Sequence, residues 1–184
     1  MHRSWRIIIT ALILPIMSSV GGDAGADEAS VRREEQLKAA YLFNFIKFVE
    51  WPPSVPANVL TVCFVGAEGV HNALAAGIAN KKVGQRALAV RHLQSAASLT
   101  GCNVLYVGAG NASDEGHPVL GGVAPVLTVS DASGFARNGG MIEIFVDTNH
   151  LRFNINLDSA HRAGLRISSS LLQLAATVEK GEAE

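Results

Sequence analysis

Four short apolar runs constrain this chain most: Leu60-Thr-Val-Cys-Phe-Val65, Arg86-Ala-Leu-Ala-Val-Arg91, Cys102-Asn-Val-Leu-Tyr-Val107 and Pro125-Val-Leu-Thr-Val-Ser130. The first and third end at Gly66 and Gly108, and the fourth runs into Asp131. Apart from the second, the runs do not alternate apolar with polar, so they read as strands covered on both faces, the signature of a parallel sheet. Parallel neighbours need crossover connections. Residues 69–79 supply one as a helix, with Val70, Leu74 and Ile78 on a single face, and residues 93–99 supply one or two Ala-rich turns.

The C-terminal part follows a different period. Leu151, Phe153, Ile155 and Leu157 alternate with Arg152, Asn154, Asn156 and Asp158, which marks a strand with one wet face. Residues 141–146 pair with it as a hairpin across Asp147-Thr-Asn-His150. Asp158 caps a short helix that ends at Gly164. Residues 168–179 are read as a last helix, with Leu171, Leu172, Leu174 and Ala175 inward and Ser168-Ser-Ser170 supplying N-cap hydroxyls. The fold class is α/β: a single-domain, Rossmann-like layered fold with a mostly parallel sheet and a C-terminal antiparallel hairpin.

Ahead of the sheet lies an unusually apolar segment. Eleven of the fifteen residues from Leu37 to Trp51 are apolar at helical spacing, and Asn44, Lys47 and Glu50 share one arc of about 120°. Pro52 closes the helix, because it lacks an N–H and pushes Trp51 out of helical geometry. The polar stretch from Asp27 to Glu35 reads as a frayed lead-in. An aromatic concentration of this kind, together with Arg166 just before a helix start, is the composition that interfaces favour.

Residues 1–26 read as a secretory signal: Arg3 and Arg6, an apolar run over residues 7–20, and Ala24-Gly25-Ala26 as the cleavage signal. The run is shorter than the roughly 18 residues of a membrane span. Cleavage after Ala26 removes Arg3, Arg6 and Asp23, so a formal charge of −1 becomes −2, with no basic footprint for nucleic acid. The remaining chain, residues 27–184, is one exported domain. Export bears on Cys63 and Cys102, because oxidising compartments favour disulfides; two buried thiols are the alternative.

Catalytic signatures are weak. Gly108-Ala-Gly110-Asn-Ala-Ser113 begins like a dinucleotide loop, but Ser stands at the third glycine position and no convincing helix follows. His71, His92, His117, His150 and His161 are scattered without metal-ligand spacing, and the carboxylates of Asp114-Glu115 and Glu34-Glu35 lie in polar stretches. The residues therefore call for no cofactor and no metal, and they suggest a binding protein.

Several segments together resemble the YfiR family of small periplasmic proteins: the leader, Lys38-Ala-Ala-Tyr-Leu-Phe-Asn-Phe-Ile-Lys-Phe-Val-Glu-Trp-Pro52, and the Cys63 and Cys102 strands. Val126-Leu-Thr-Val-Ser-Asp131, Gly139-Gly-Met-Ile142, Arg152-Phe-Asn-Ile-Asn156 and Ala163-Gly-Leu-Arg-Ile-Ser-Ser169 extend the likeness to residues 35–175. The resemblance implies a Rossmann-like domain without enzymatic activity, often dimeric. It implies binding to the periplasmic part of an inner-membrane diguanylate cyclase, which is held inactive until an outer-membrane lipoprotein sequesters the repressor. Cyclic di-GMP and biofilm formation are then controlled from outside the membrane. Cys63 and Cys102 match one of two disulfides that family members carry, and the second has no counterpart here. Arg166 matches the arginine of a family surface pocket, with Ser168 where some members have His. Phe43, Phe48, Trp51, Arg166 and Ser168 are accordingly the candidate partner- or ligand-binding residues. The competing reading is a periplasmic small-ligand binder using residues 66–69 and 108–113; a hydrolase-like enzyme is a third.

Overall fold

The computed structural model describes residues 24–96, 99–112 and 124–179. Most of the expected leader, the Asp114-Glu115 pair and the segment from His117 to Gly122 lie outside the described residues. The chain begins with helix α1 (Ala24–Phe48), a two-residue strand β1 (Val49–Glu50), strand β2 (Val59–Val65) and helix α2 (Glu68–Gly77). Strands β3 (Lys82–Val83), β4 (Arg86–Leu93), β5 (Val104–Val107) and β6 (Leu127–Ser130) follow. The hairpin of β7 (Ile142–Asp147) and β8 (His150–Asn156) leads to α3 (Leu157–Arg162), β9 (Arg166–Ile167), α4 (Ser169–Leu172) and β10 (Thr177–Glu179).

Eight strands form one sheet in the order β10-β8-β7-β6-β5-β2-β4-β3, and β1 pairs with β9 in a separate ribbon. β4, β2, β5, β6 and β7 run parallel; β8 returns antiparallel through a turn whose Thr148 and Asn149 both have positive φ. The α/β class, the mostly parallel sheet and the C-terminal hairpin are as the sequence patterns indicate.

Side-chain parity divides the sheet into two faces. Leu60, Val62 and Phe64 of β2, Val104 and Tyr106 of β5, and Ile142 and Ile144 of β7 join the large core with Leu42, Phe45 and Ile46 of α1. Burial of side chains of that size stabilises the fold by about 1.5–3 kcal/mol each. Cys63, Val65, Leu105 and Val107 face the opposite way, in a smaller cluster to which no described helix contributes. Toward β8 this second face turns polar and is closed by the loop over residues 131–140. There the buried Glu143 carboxylate accepts from the N–H of Gly134 (3.0 Å) and Ala136 (3.2 Å), and Asn156 Nδ2 donates to the Ala136 carbonyl (2.8 Å).

Four local expectations need correction. The stretch from Asp27 to Glu35 is no frayed lead-in but part of the 25-residue α1. That helix stops at Phe48, three residues before Trp51, because the backbone beyond it finds a distant partner. Val49 pairs with Ile167, Glu50 pairs with Arg166, and Ser168 N–H donates to the Phe48 carbonyl at 3.0 Å. The C-terminal helix is likewise short. Residues 177–179 add to β8 as a parallel strand, helped by β-branched Thr177 and Val178, and Leu174 is 69% exposed instead of inward. No helix forms over the described part of residues 93–99. Of the two caps one stands and one is a further correction: Ser168 Oγ accepts from Leu171 N as expected, but Asn156, not Asp158, caps α3 through Ser159 N.

Candidate functional site

β1 and β9 bring together residues more than a hundred positions apart. The Arg166 guanidinium meets the Glu50 carboxylate at 2.7 and 2.9 Å, with the two side chains 78% and 59% exposed. An ion pair so open to solvent contributes little to folding, which leaves its charges available to a partner. Ser168 sits beside it, its N–H on Phe48 and its hydroxyl capping α4. Trp51 Nε1 donates to the Ile46 carbonyl at 3.4 Å, so the indole folds back on the end of α1.

One turn up α1, the Lys47 ammonium lies 5.7 Å from the Phe43 ring centre and 6.0 Å from that of Phe48; Lys81 also approaches Phe43, at 5.4 Å. These are cation–π distances. Lys47 therefore links Phe43 to Phe48, and Phe48 leads through the backbone to Ser168. Phe43 also walls an open groove of ≈ 460 Å³ between α1 and α2, with Ala39, Ala40, Ala73 and Gly77 along it. The five candidate residues thus form one run: four at the ribbon and Phe43 at the groove.

The loops at the strand ends are arranged differently. Strand order reverses between β2 and β5, the place where open α/β sheets usually hold ligands. Here described residues crowd the glycines at the crevice. A Cβ on Gly66 would collide with the Asn111 carboxamide and one on Gly69 with the Glu35 carboxylate, while one on Gly108 would sit tightly against the Ala67 backbone at 3.0 Å. Among the described residues no group of three or more His, Cys, Asp or Glu is placed to hold a metal ion, and no helix is long and apolar enough to cross a membrane.

Cys63 and Cys102 are joined in a disulfide, with Cα atoms 5.8 Å apart. It ties β2 to the residue pair ahead of β5 on the second face of the sheet. Arg91 reaches over it, donating to the Thr100 carbonyl at 2.8 Å and lying 3.2 Å from Cys102 Sγ.

A polar cluster escaped the sequence patterns. Lys38 lies on α1 away from the Asn44, Lys47 and Glu50 arc and turns inward to Asp131 at the end of β6 (2.6 Å) and to Glu34 (2.8 Å). Asp131 also accepts from Ala109 N–H at 2.8 Å. The Tyr106 hydroxyl is buried with no hydrogen-bond partner among the described residues. Burial, and then the Asp131 charge, hold its phenol well above the ordinary tyrosine value. Burial pulls the Lys38 ammonium down, but its bonds to Asp131 and Glu34 and their charges outweigh this, leaving its pKa raised. The one detectable signal was Lys38 itself, a lone cation on the apolar side of the helix.

A stability prediction follows from that cluster. Lys38→Met leaves the mostly buried Asp131 unpaired and is expected to cost about 2 kcal/mol at neutral pH, less than a fully buried pair because water still reaches the site. With its folded pKa above 10.5, Lys38 contributes fully below that pH, and the contribution is lost as pH rises through the folded value. The raised Tyr106 acts in the same direction, since only the unfolded chain ionises near pH 10. Melting temperatures of the wild type and Lys38→Arg between pH 7 and 11 check this, the arginine variant losing less on the alkaline side.

Two solved structures align with the chain. One is the ABC domain in complex with L-Trp from Streptococcus pneumonia, at 14% identity and TM-score 0.49; the other is a conserved domain protein from Vibrio cholerae O1 biovar eltor, at 10% and 0.47. Each alignment covers 79% of this chain and 60% of the solved one, so the chain spans less than two thirds of their length. The sequence profile of the YfiR/HmsC-like family matches residues 35–176, from the middle of α1 to the edge of β10. The chain belongs to the YfiR/HmsC-like family.

Proposed function

We propose that this protein is an exported, non-catalytic regulator that binds the periplasmic part of an inner-membrane diguanylate cyclase and holds it inactive, lowering cyclic di-GMP. The observation that carries the reading is the family match over residues 35–176. The run of Phe43, Lys47, Phe48, Trp51, Arg166 and Ser168 supports a docking role, because half-buried aromatics edged by exposed charge suit a protein partner. Cleavage after Ala26 delivers residues 27–184 to the periplasm, where the disulfide persists. Release by an outer-membrane lipoprotein and pairing with a second copy belong to the same proposal. Deleting the gene in a strain that expresses the protein is expected to raise cellular cyclic di-GMP, measured by mass spectrometry of extracts. Unchanged levels would overturn the assignment.

A further inference from the structure

His71 and His92, 21 positions apart and without metal-ligand spacing in the sequence, come together where α2 lies against the end of β4. Their ring centres are 6.0 Å apart and their planes nearly perpendicular, at 87°. From these two side chains we infer a binding site for one borderline divalent cation, Zn(II), Ni(II) or Cu(II), with water completing the coordination.

With metal–nitrogen bonds of about 2.0–2.1 Å, a tetrahedral ion holds two imidazole centres roughly 5 Å apart. The observed pair needs about 1 Å of adjustment to reach that spacing. His92 can supply it, being exposed at the sheet edge. His71 is the anchored partner. It is half-buried on α2, its ring meets Phe64 edge-on at 5.2 Å, and its Nδ1 lies 3.1 Å from Asn72 Oδ1. With Nδ1 engaged by the Asn72 carboxamide, Nε2 is the ring nitrogen available to a metal. Metal-binding histidines commonly have just such a partner on the other ring nitrogen, fixing the tautomer. Imidazole pairs suit Zn, Ni and Cu, whereas Mg and Ca prefer oxygen ligands. Bound there, the ion clips α2 to the edge strand.

The test is thermal unfolding of the wild-type protein with zinc or nickel chloride, alongside His71→Ala, His92→Ala and His150→Ala. At roughly a hundredfold excess over Kd, an ion that binds only the folded state is expected to raise Tm by about 8 °C, reversibly with EDTA. The shift should vanish in His92→Ala, whose exposed position keeps the fold intact, and in His71→Ala, and persist in His150→Ala. Calorimetric titration should give one ion per chain, with magnesium giving none. No shift with either ion, or a full shift surviving in His92→Ala, would overturn the site and mark any binding as held by one imidazole elsewhere; neither outcome touches the proposed cyclase partnership.

Discussion

Replacing Cys63 and Cys102 together by alanine is expected to destabilise the protein by about 3–4 kcal/mol, the loop-closure entropy that a cross-link over 39 positions removes from the unfolded chain. For a chain of this size that corresponds to a fall in Tm of roughly 10 °C. The location adds to the effect. Cys63 and Cys102 are 0% and 6% exposed within the smaller core cluster, which has no described helix over it. The covalent tie therefore does part of what a second helical layer does in larger α/β sheets. Removing it also deprives Arg91 of its neighbour and leaves β5 joined to β2 by ladder hydrogen bonds and side-chain packing, without a covalent tie. Urea unfolding of the double variant and the wild type, both without reductant, measures the difference. Midpoints that coincide would show that the second face is held by other contacts.

What the sequence made legible depended on how local the cause was. Unalternating runs ending in glycine placed β2 and β5 within a residue or two, and the Ser168 cap was readable because a hydroxyl and its N–H target lie three residues apart. The short ends went wrong for the opposite reason. Val49 and Glu50 carry helical spacing, yet their backbone pairs with Ile167 and Arg166, a partner that nothing near position 50 announces. Residues 177–179 were drawn out of a helical pattern by the open edge of β8 in the same way. The candidate face was half legible: each aromatic stood out in composition, but only the β1–β9 ribbon shows that Phe48 and Ser168 are neighbours. His71 with His92, and Lys38 with Asp131, were illegible as pairs, since their contacts exist only once the strands are in register.

The second large effect concerns the proposed partner face. Lys47 and Arg166 are exposed, so reversing both charges is expected to cost folding no more than about 1 kcal/mol, even with a carboxylate then facing Glu50 across the ribbon. On the proposed reading a partner meets both charges at the edge of the aromatic run, and mismatched charge at an interface costs several kcal/mol, a loss of at least a hundredfold in affinity. Phe43 and Phe48 are less suited to the test, because both pack partly on the core and their removal would confuse binding with stability.

The most direct measurement is therefore cyclic di-GMP in a deletion strain complemented with either the wild type or the Lys47→Glu, Arg166→Glu double variant, at matched periplasmic levels and matched Tm. The wild type should restore the low level, and the folded variant should leave it as high as in the deletion strain. Full repression by the variant would contradict the assignment of this face.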